Sequence, residues 1–367
     1  TEILAEQHLR TLSGMLSPHG IGTALLTGGL RAAARREALL DISSGRAAVA
    51  VGTHALLEEQ AAFAALGLVV TDEQHRFGVA QRNRLAAKGD RPHLLVMSAT
   101  PIPRTLALMI YGDLDLSVID QLPAGRRKVE TYVVDESMRP RIDRFIKKLL
   151  GEGRQAFVVC PLVEEGEDDR KAVQSYAKAL GALLAPHRVE ALHGRMKPAE
   201  KEAVMRRFAA GETAALVSTT VVEVGVDVPN AALMVVENAE QFGLSQLHQL
   251  RGRVGRGVHQ SYCILLSRNR GERAMERLKT LCRTDDGFEI AQMELQLRGP
   301  GDFFGRRQHG LPALHIADMG RDLEVLREVG EAAAQLLAED PALEGPALRA
   351  LRGRAEALFE RSEISLN

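Results

Sequence analysis

Short apolar runs rich in Val, Leu, Ala and Ile alternate along this chain with stretches of helical period, and no other feature constrains its fold as strongly. A run of four to seven apolar residues reads as a strand buried on both faces, and a helix between two such strands reads as the crossover of a parallel sheet. Strands are expected at 23–27, 47–51, 66–72, 94–98 and 116–119, with helices near 3–16, 31–42, 79–88 and 102–110. Pro101 and Pro103 suit the first turn of the last of these helices. The composition then changes at Gln121-Leu122-Pro123-Ala124-Gly125-Arg126-Arg127, which reads as a linker. A second alternation follows, with strands at 128–134, 156–159, 189–192, 214–218, 233–237 and 262–266 and helices near 138–150, 171–184, 198–209 and 245–253. The remainder is mostly helical, at 272–283, 288–297, 323–337 and 347–359, with a Gly-rich stretch at 298–308. The fold class is therefore α/β. Two parallel-sheet domains are expected over 1–122 and 123–268, followed by a mainly helical region over 269–367.

Composition narrows the function. At 367 residues the chain exceeds one ordinary core. No apolar run approaches the ~18 residues of a membrane span, so no membrane partner is expected. The start Thr1-Glu2-Ile3-Leu4-Ala5-Glu6 lacks the basic and apolar regions of a signal peptide. Cys160, Cys263 and Cys282 have no metal-ligand spacing and read as buried thiols of a reducing compartment, which makes the expected location cytoplasmic. A net charge of −1 leaves any contact with nucleic acid to local patches. With no Trp and 4% aromatic residues, phosphate contacts are expected to outweigh base stacking.

Two clusters carry chemistry. Gln246-Leu247-His248-Gln249-Leu250-Arg251-Gly252-Arg253-Val254-Gly255-Arg256-Gly257 sets three arginines among glycines. A guanidinium is always charged and its planar fork of donors matches phosphate oxygens, while glycine lets backbone approach closely. Asp72-Glu73-Gln74-His75 follows the apolar run 66–71, so a buried strand delivers two carboxylates to its carboxyl end. Asp72 would hold Mg²⁺ through water, and Glu73 would orient and deprotonate an attacking water. Ser98-Ala99-Thr100 ends another first-domain strand. The run 218–229 ends a second-domain strand and offers Thr219, Thr220, Gly225 and an Asp227 able to accept from a ribose hydroxyl. Two such domains around one nucleotide would couple a phosphate's state to a hinge. A phosphate-cradling loop is missing, because the chain contains no Gly-Lys dipeptide and so no G-x-x-x-x-G-K-[ST]. The chain alone is expected to hydrolyse ATP poorly or not at all.

These motifs, in this order, resemble the superfamily 2 helicase core and, within it, the RecG family of branched-DNA helicases. Residues 1–5 are similar to the second half of motif Ia, 51–54 to motif Ib, 72–79 to motif II and 98–105 to motif III. Residues 160–165 are similar to motif IV, 218–229 to motif V and 246–257 to motif VI. The resemblance implies two RecA-like domains, the first truncated, ATP and Mg²⁺ as cofactors, and action on double-stranded and branched DNA such as forks and Holliday junctions. Single-stranded DNA-binding protein is a further implied partner. It implies that Arg253 and Arg256 are arginine fingers, that Gln249 and His75 couple hydrolysis to movement, and that Thr27, Gly28, Thr53 and His54 face DNA. Residues 284–291 and 295–308 resemble the translocation element shared with the transcription-repair coupling translocase, which carries coupling roles onto Arg277, Arg298 and Gln308. The stretch 111–123, and Gly257 followed by Ser261-Tyr262-Cys263, favour RecG over that relative. Family members also carry an upstream wedge domain, nucleotide-base contacts and a P-loop, so the chain is expected to be a fragment with unpaired strands in its first domain. A clamp without catalysis is the remaining alternative; the intact Asp72, Glu73, Arg253 and Arg256 argue against it.

Overall fold

The computed structural model describes residues 2–72, 79–98, 115, 117–119, 121, 127–161, 169–219, 227–269, 271–298 and 323–364. The first lobe runs α1 (Glu2–Leu16), β1 (Thr23–Leu26), α2 (Ala32–Ser43), β2 (Val49–Gly52), β3 (Leu68–Thr71), α3 (Val79–Ala86) and β4 (His93–Val96). Its strands are parallel but form two separate pairs. β1 lies on β2 from Thr23↔Val49 to Leu26↔Gly52, and β3 lies on β4 from Leu68↔His93 to Thr71↔Val96. Ala24, Leu26, Ala38, Ile42, Ala55 and Ala61 form a small core around the first pair. On the second pair Val69 and Thr71 are buried, whereas Leu68, Val70, Leu95 and Met97 are exposed. The strand expected over 116–119 is not formed at the described residues 117–119. Ile119 is 88% exposed there, and an apolar run gains nothing from extension without a neighbouring strand to bond. The helix expected at 102–110 lies outside the described residues.

The second lobe is one sheet. β5 (Glu130–Asp135), α4 (Arg139–Gly151), β6 (Gln155–Val159), α5 (Asp169–Leu183), β7 (Val189–Leu192), α6 (Pro198–Ala209), β8 (Ala215–Ser218), β9 (Ala231–Val236), α7 (Leu244–Arg251) and β10 (Tyr262–Ser267) follow in order. The six strands lie β5-β10-β9-β6-β8-β7, all parallel. Every residue of β6, β8 and β9 is buried, which explains why these segments read as unbroken apolar runs rather than alternating ones. One face packs Ile142, Ile146 and Leu149 of α4 and Val173, Ala177 and Leu180 of α5 against Val158, Val217 and Val235. Phe157 meets Phe208 with ring centroids 4.8 Å apart. Between β8 and β9 the chain crosses over β6, and a crossing of this kind opens a crevice at the carboxyl ends of the strands.

α8 (Glu272–Arg283) packs on β5 and α7. The chain forms two compact units, and the one holding both lobes and α8 ends at Asp285. α9 (Gly287–Arg298), α10 (Leu323–Glu339) and α11 (Arg349–Ile364) belong to the other. Among the described residues no helix is long and apolar enough to cross a membrane. These are the RecA-like parallel sheets and the helical C-terminal region that the sequence implied.

Candidate functional site

The site is assembled from strand ends. Asp72 directly follows β3 and is half-buried, with its carboxylate Oδ2 3.3 Å from Nε2 of His8 on α1. Glu73 and His75 lie outside the described residues. Among the described residues no three His, Cys, Asp or Glu side chains converge as a metal cage. A strand-end carboxylate suits Mg²⁺, which keeps much of its water and takes further ligands from phosphate oxygens.

In the second lobe, α7 carries the half-buried Gln249 and stops at Arg251, two residues short of the end expected from the sequence. Gly252 caps it, and Arg253 and Arg256 therefore sit on the loop beyond. Two glycines make that loop possible. Gly255 has φ +80°, and a Cβ there would lie 2.7 Å from Val129, while one on Gly257 would lie 2.2 Å from the Pro229 carbonyl oxygen. Arg256 donates from Nε to the Gly252 carbonyl at 3.2 Å and brings Nη1 to 3.6 Å from Oδ1 of Asp227.

The two lobes meet through α1. Gln7 Oε1 accepts from the backbone N–H of Asp227 at 3.4 Å, and Glu6 lies 3.5 Å from Arg206 of α6. Three consecutive residues, Glu6, Gln7 and His8, thus reach lobe 2 on one side and Asp72 on the other. Asp72 and the Asp227 backbone contact adjacent residues of this helix, and Asp227 in turn lies beside Arg256. Thr220 and Gly225 lie outside the described residues.

The candidates for DNA contact or coupling share one feature: Thr27, Thr53, Ser98 and Thr219 each follow the carboxyl end of a parallel strand, β1, β2, β4 and β8 in turn. Thr27 is buried and Gly28 exposed, so the accessible group at that end is backbone, where the Gly29 N–H donates to Glu2 Oε1 at 2.7 Å. His54 opens a 3₁₀ turn and is exposed. Thr219 is 1% exposed, and its hydroxyl finds no hydrogen-bond partner among the described residues. Thr100 and Gln308 lie outside the described residues, as does the side chain of Arg298 at the end of α9.

Arg277 on α8 is no ordinary surface charge. It donates to the carbonyls of Phe242 and Glu240, both at 2.7 Å, and so ties α8 to the segment preceding α7. Two further features depart from the sequence reading, which grouped Arg251 with Arg253 and Arg256 as phosphate contacts and left Glu237 unremarked. Arg251 is 4% exposed, and burial pulls its guanidinium pKa down against the opposing pull of Asp285. Its signal was available: Leu244, Leu247 and Arg251 stand at i, i+3 and i+7, one face of a helix. The other is Glu237, which follows β9 and is 6% exposed. Arg139 grips it with both terminal nitrogens, one at 2.6 Å, and Tyr176 donates to it at 2.7 Å. Donating to the Glu237 carboxylate raises the Arg139 pKa. Burial first, and the Glu237 charge second, push the nearby Cys160 thiol up to about 12.

Family comparisons converge on these segments. Residues 1–109 match the DEAD/DEAH box helicase family, 141–258 the helicase conserved C-terminal domain, and 284–361 the family described as ATP-dependent DNA helicase RecG, domain 3, C-terminal. The chain is 48% identical over 354 residues to an ATP-dependent DNA helicase RecG of Bacillus subtilis, covering 96% of this chain and 52% of that protein. It is 50% identical over 346 residues to one of Synechocystis, covering 94% of this chain and 42% of that protein. The chain thus spans about half the length of the curated relatives it matches. A solved structure of RecG bound to a three-way DNA junction superposes with a TM-score of 0.73 at 44% identity, covering 89% of this chain and 42% of that one. A Mycobacterium smegmatis helicase Lhr shares the fold at 17% identity and a TM-score of 0.54.

Proposed function

The chain belongs to the RecG family of superfamily 2 DNA helicases, and from that membership we propose that it is the ATP-driven motor of an enzyme that moves on duplex DNA and remodels stalled forks and branched junctions. One observation carries the reading: Asp72 of the first lobe and the Asp227–Arg256 pair of the second are engaged by adjacent residues of a single helix. In this reading Asp72 would hold Mg²⁺, which would supply positive charge to the phosphates, and Glu73 takes a proton from the water that adds to the γ-phosphate as ADP leaves. Arg253 and Arg256 neutralise the charge that develops. Gly225 and Asp227 contact the nucleotide, while Gln249 and His75 link it to movement. Thr27, Gly28, Thr53 and His54 face DNA, Ser98, Thr100, Thr219 and Thr220 contact DNA or couple it to the nucleotide, and Arg277, Arg298 and Gln308 couple translocation. The domains divide at 1–122, 123–268 and 269–367. The match of 284–361 to a RecG domain supports this assignment over the transcription-repair coupling translocase.

The test uses a chain extended with the upstream region that the RecG resemblance implies. Its ATP hydrolysis should be stimulated by forked DNA, and Glu73→Gln should keep nucleotide binding while lowering turnover by about 100-fold or more. Turnover equal to wild type would remove Glu73 from the base role, and hydrolysis indifferent to DNA would remove the motor. The unextended chain should bind and hydrolyse ATP at background level.

A further inference from the structure

Arg251 is a charge that the fold has taken out of water. A buried guanidinium is tolerated only when its donors are all engaged, and an apolar side chain of like size would serve a core better. Arg251 stands on the same helical face as Leu244 and Leu247, where such a side chain is expected, so its charge needs a reason. Its partners supply one. Nη1 donates to the carbonyls of Leu281 at 2.6 Å and Thr284 at 3.0 Å and lies 3.0 Å from Oδ1 of Asp285. Nη2 donates to His248 Nδ1 at 2.8 Å. The other carboxylate oxygen of Asp285, Oδ2, is 3.1 Å from Lys128 Nζ, and the Lys128 carbonyl accepts from Gln260 at 2.8 Å.

Three parts of the motor therefore meet at one carboxylate: the helix that ends in the Arg253–Arg256 loop, the chain arriving from the first lobe, and the chain leaving for the C-terminal helices. Arg277 ties the segment just before α7 to α8 through the carbonyls of Phe242 and Glu240, so the two helices are bonded near both ends of α7. A planar fork held at four points cannot follow a displaced helix without carrying its partners along. We propose that Arg251 and Asp285 form a joint that passes movement of the arginine-finger loop to the linker and to the chain leaving lobe 2, so that Arg251 is a positioning residue for coupling and not for hydrolysis. The inference rests on the motor reading above.

The experiment compares wild type, Asp285→Asn and Lys128→Met in the extended chain, measuring forked-DNA-stimulated ATP hydrolysis, fork unwinding and thermal midpoint on each. Asp285→Asn keeps the shape of the carboxylate and removes its charge, so hydrolysis should stay within about twofold of wild type while unwinding falls about tenfold. Lys128→Met, which touches the same carboxylate from the exposed side and disturbs no buried group, should move the ratio of unwinding to hydrolysis in the same direction by a smaller factor. Unwinding and hydrolysis both at wild-type levels in the two variants would overturn the joint. So would a proportional fall of both activities at an unchanged thermal midpoint, because the carboxylate would then serve hydrolysis itself. If Asp285→Asn fails to fold, an unchanged ratio in Lys128→Met overturns the joint alone. A wild-type chain without DNA-stimulated hydrolysis would instead overturn the motor reading.

Discussion

Glu237 illustrates how a single carboxylate can hold a strand end, two helices and a thiol in one arrangement. It is sealed under Arg139 and Tyr176, and removing one partner of such a pair leaves the other charged and poorly solvated. Glu237→Ala should cost about 3 kcal/mol, read as a lower thermal midpoint, with Glu237→Gln costing less. The same neighbourhood sets an alkaline limit. Cys160 and Cys263 rise from the ordinary 9.0 to about 12, burial being the main cause in both. The folded state therefore keeps protons that the unfolded chain releases near pH 9. Stability from these thiols is complete below that pH and is lost as pH climbs toward 12. A pH series of thermal midpoints should fall across this window, and Cys160→Ser should flatten part of the decline. At this scale legibility was uneven. Arg251 could be read from its spacing with Leu244 and Leu247. Glu237 could not, because a carboxylate after an apolar run reads as an exposed strand end until Arg139, 98 residues away in sequence, is folded against it.

Among elements, the strands of the second lobe were legible because sheet burial on both faces writes itself as continuous apolar sequence. Phe157→Ala should accordingly cost about 3–5 kcal/mol in denaturant unfolding, since the site it vacates is lined by Phe208 and strands that cannot collapse inward. Periodicity alone misjudged two places. It extended α7 through Arg253, where Gly252 ends the helix, and it expected a strand at 116–119, where no partner strand is described. Arg298 closes α9, and the coupling role proposed for it predicts that Arg298→Ala in the extended chain leaves DNA-stimulated hydrolysis largely intact and stops fork unwinding. Parallel loss of both would contradict coupling.

For the whole molecule, the division into two parallel-sheet lobes and a helical remainder followed from alternation of apolar runs. The part α1 plays did not, since nothing in Glu6-Gln7-His8 announces that one helix will touch both Asp72 and Asp227. Among the described residues the first lobe's split into β1–β2 and β3–β4 leaves edges without neighbours and exposes Leu68, Val70 and Leu95, a combination that favours pairing between chains. Sedimentation should show association that grows with concentration, and Leu95→Lys should reduce it; a monomer at every concentration would contradict the expectation. A mechanical consequence follows from Lys128 and Asp285 lying 3.1 Å apart. The polypeptide therefore arrives at the six-stranded lobe and departs from it at a single stem. An exposed ion pair adds only about 0–1 kcal/mol, so it sets the two chain ends side by side without locking them there.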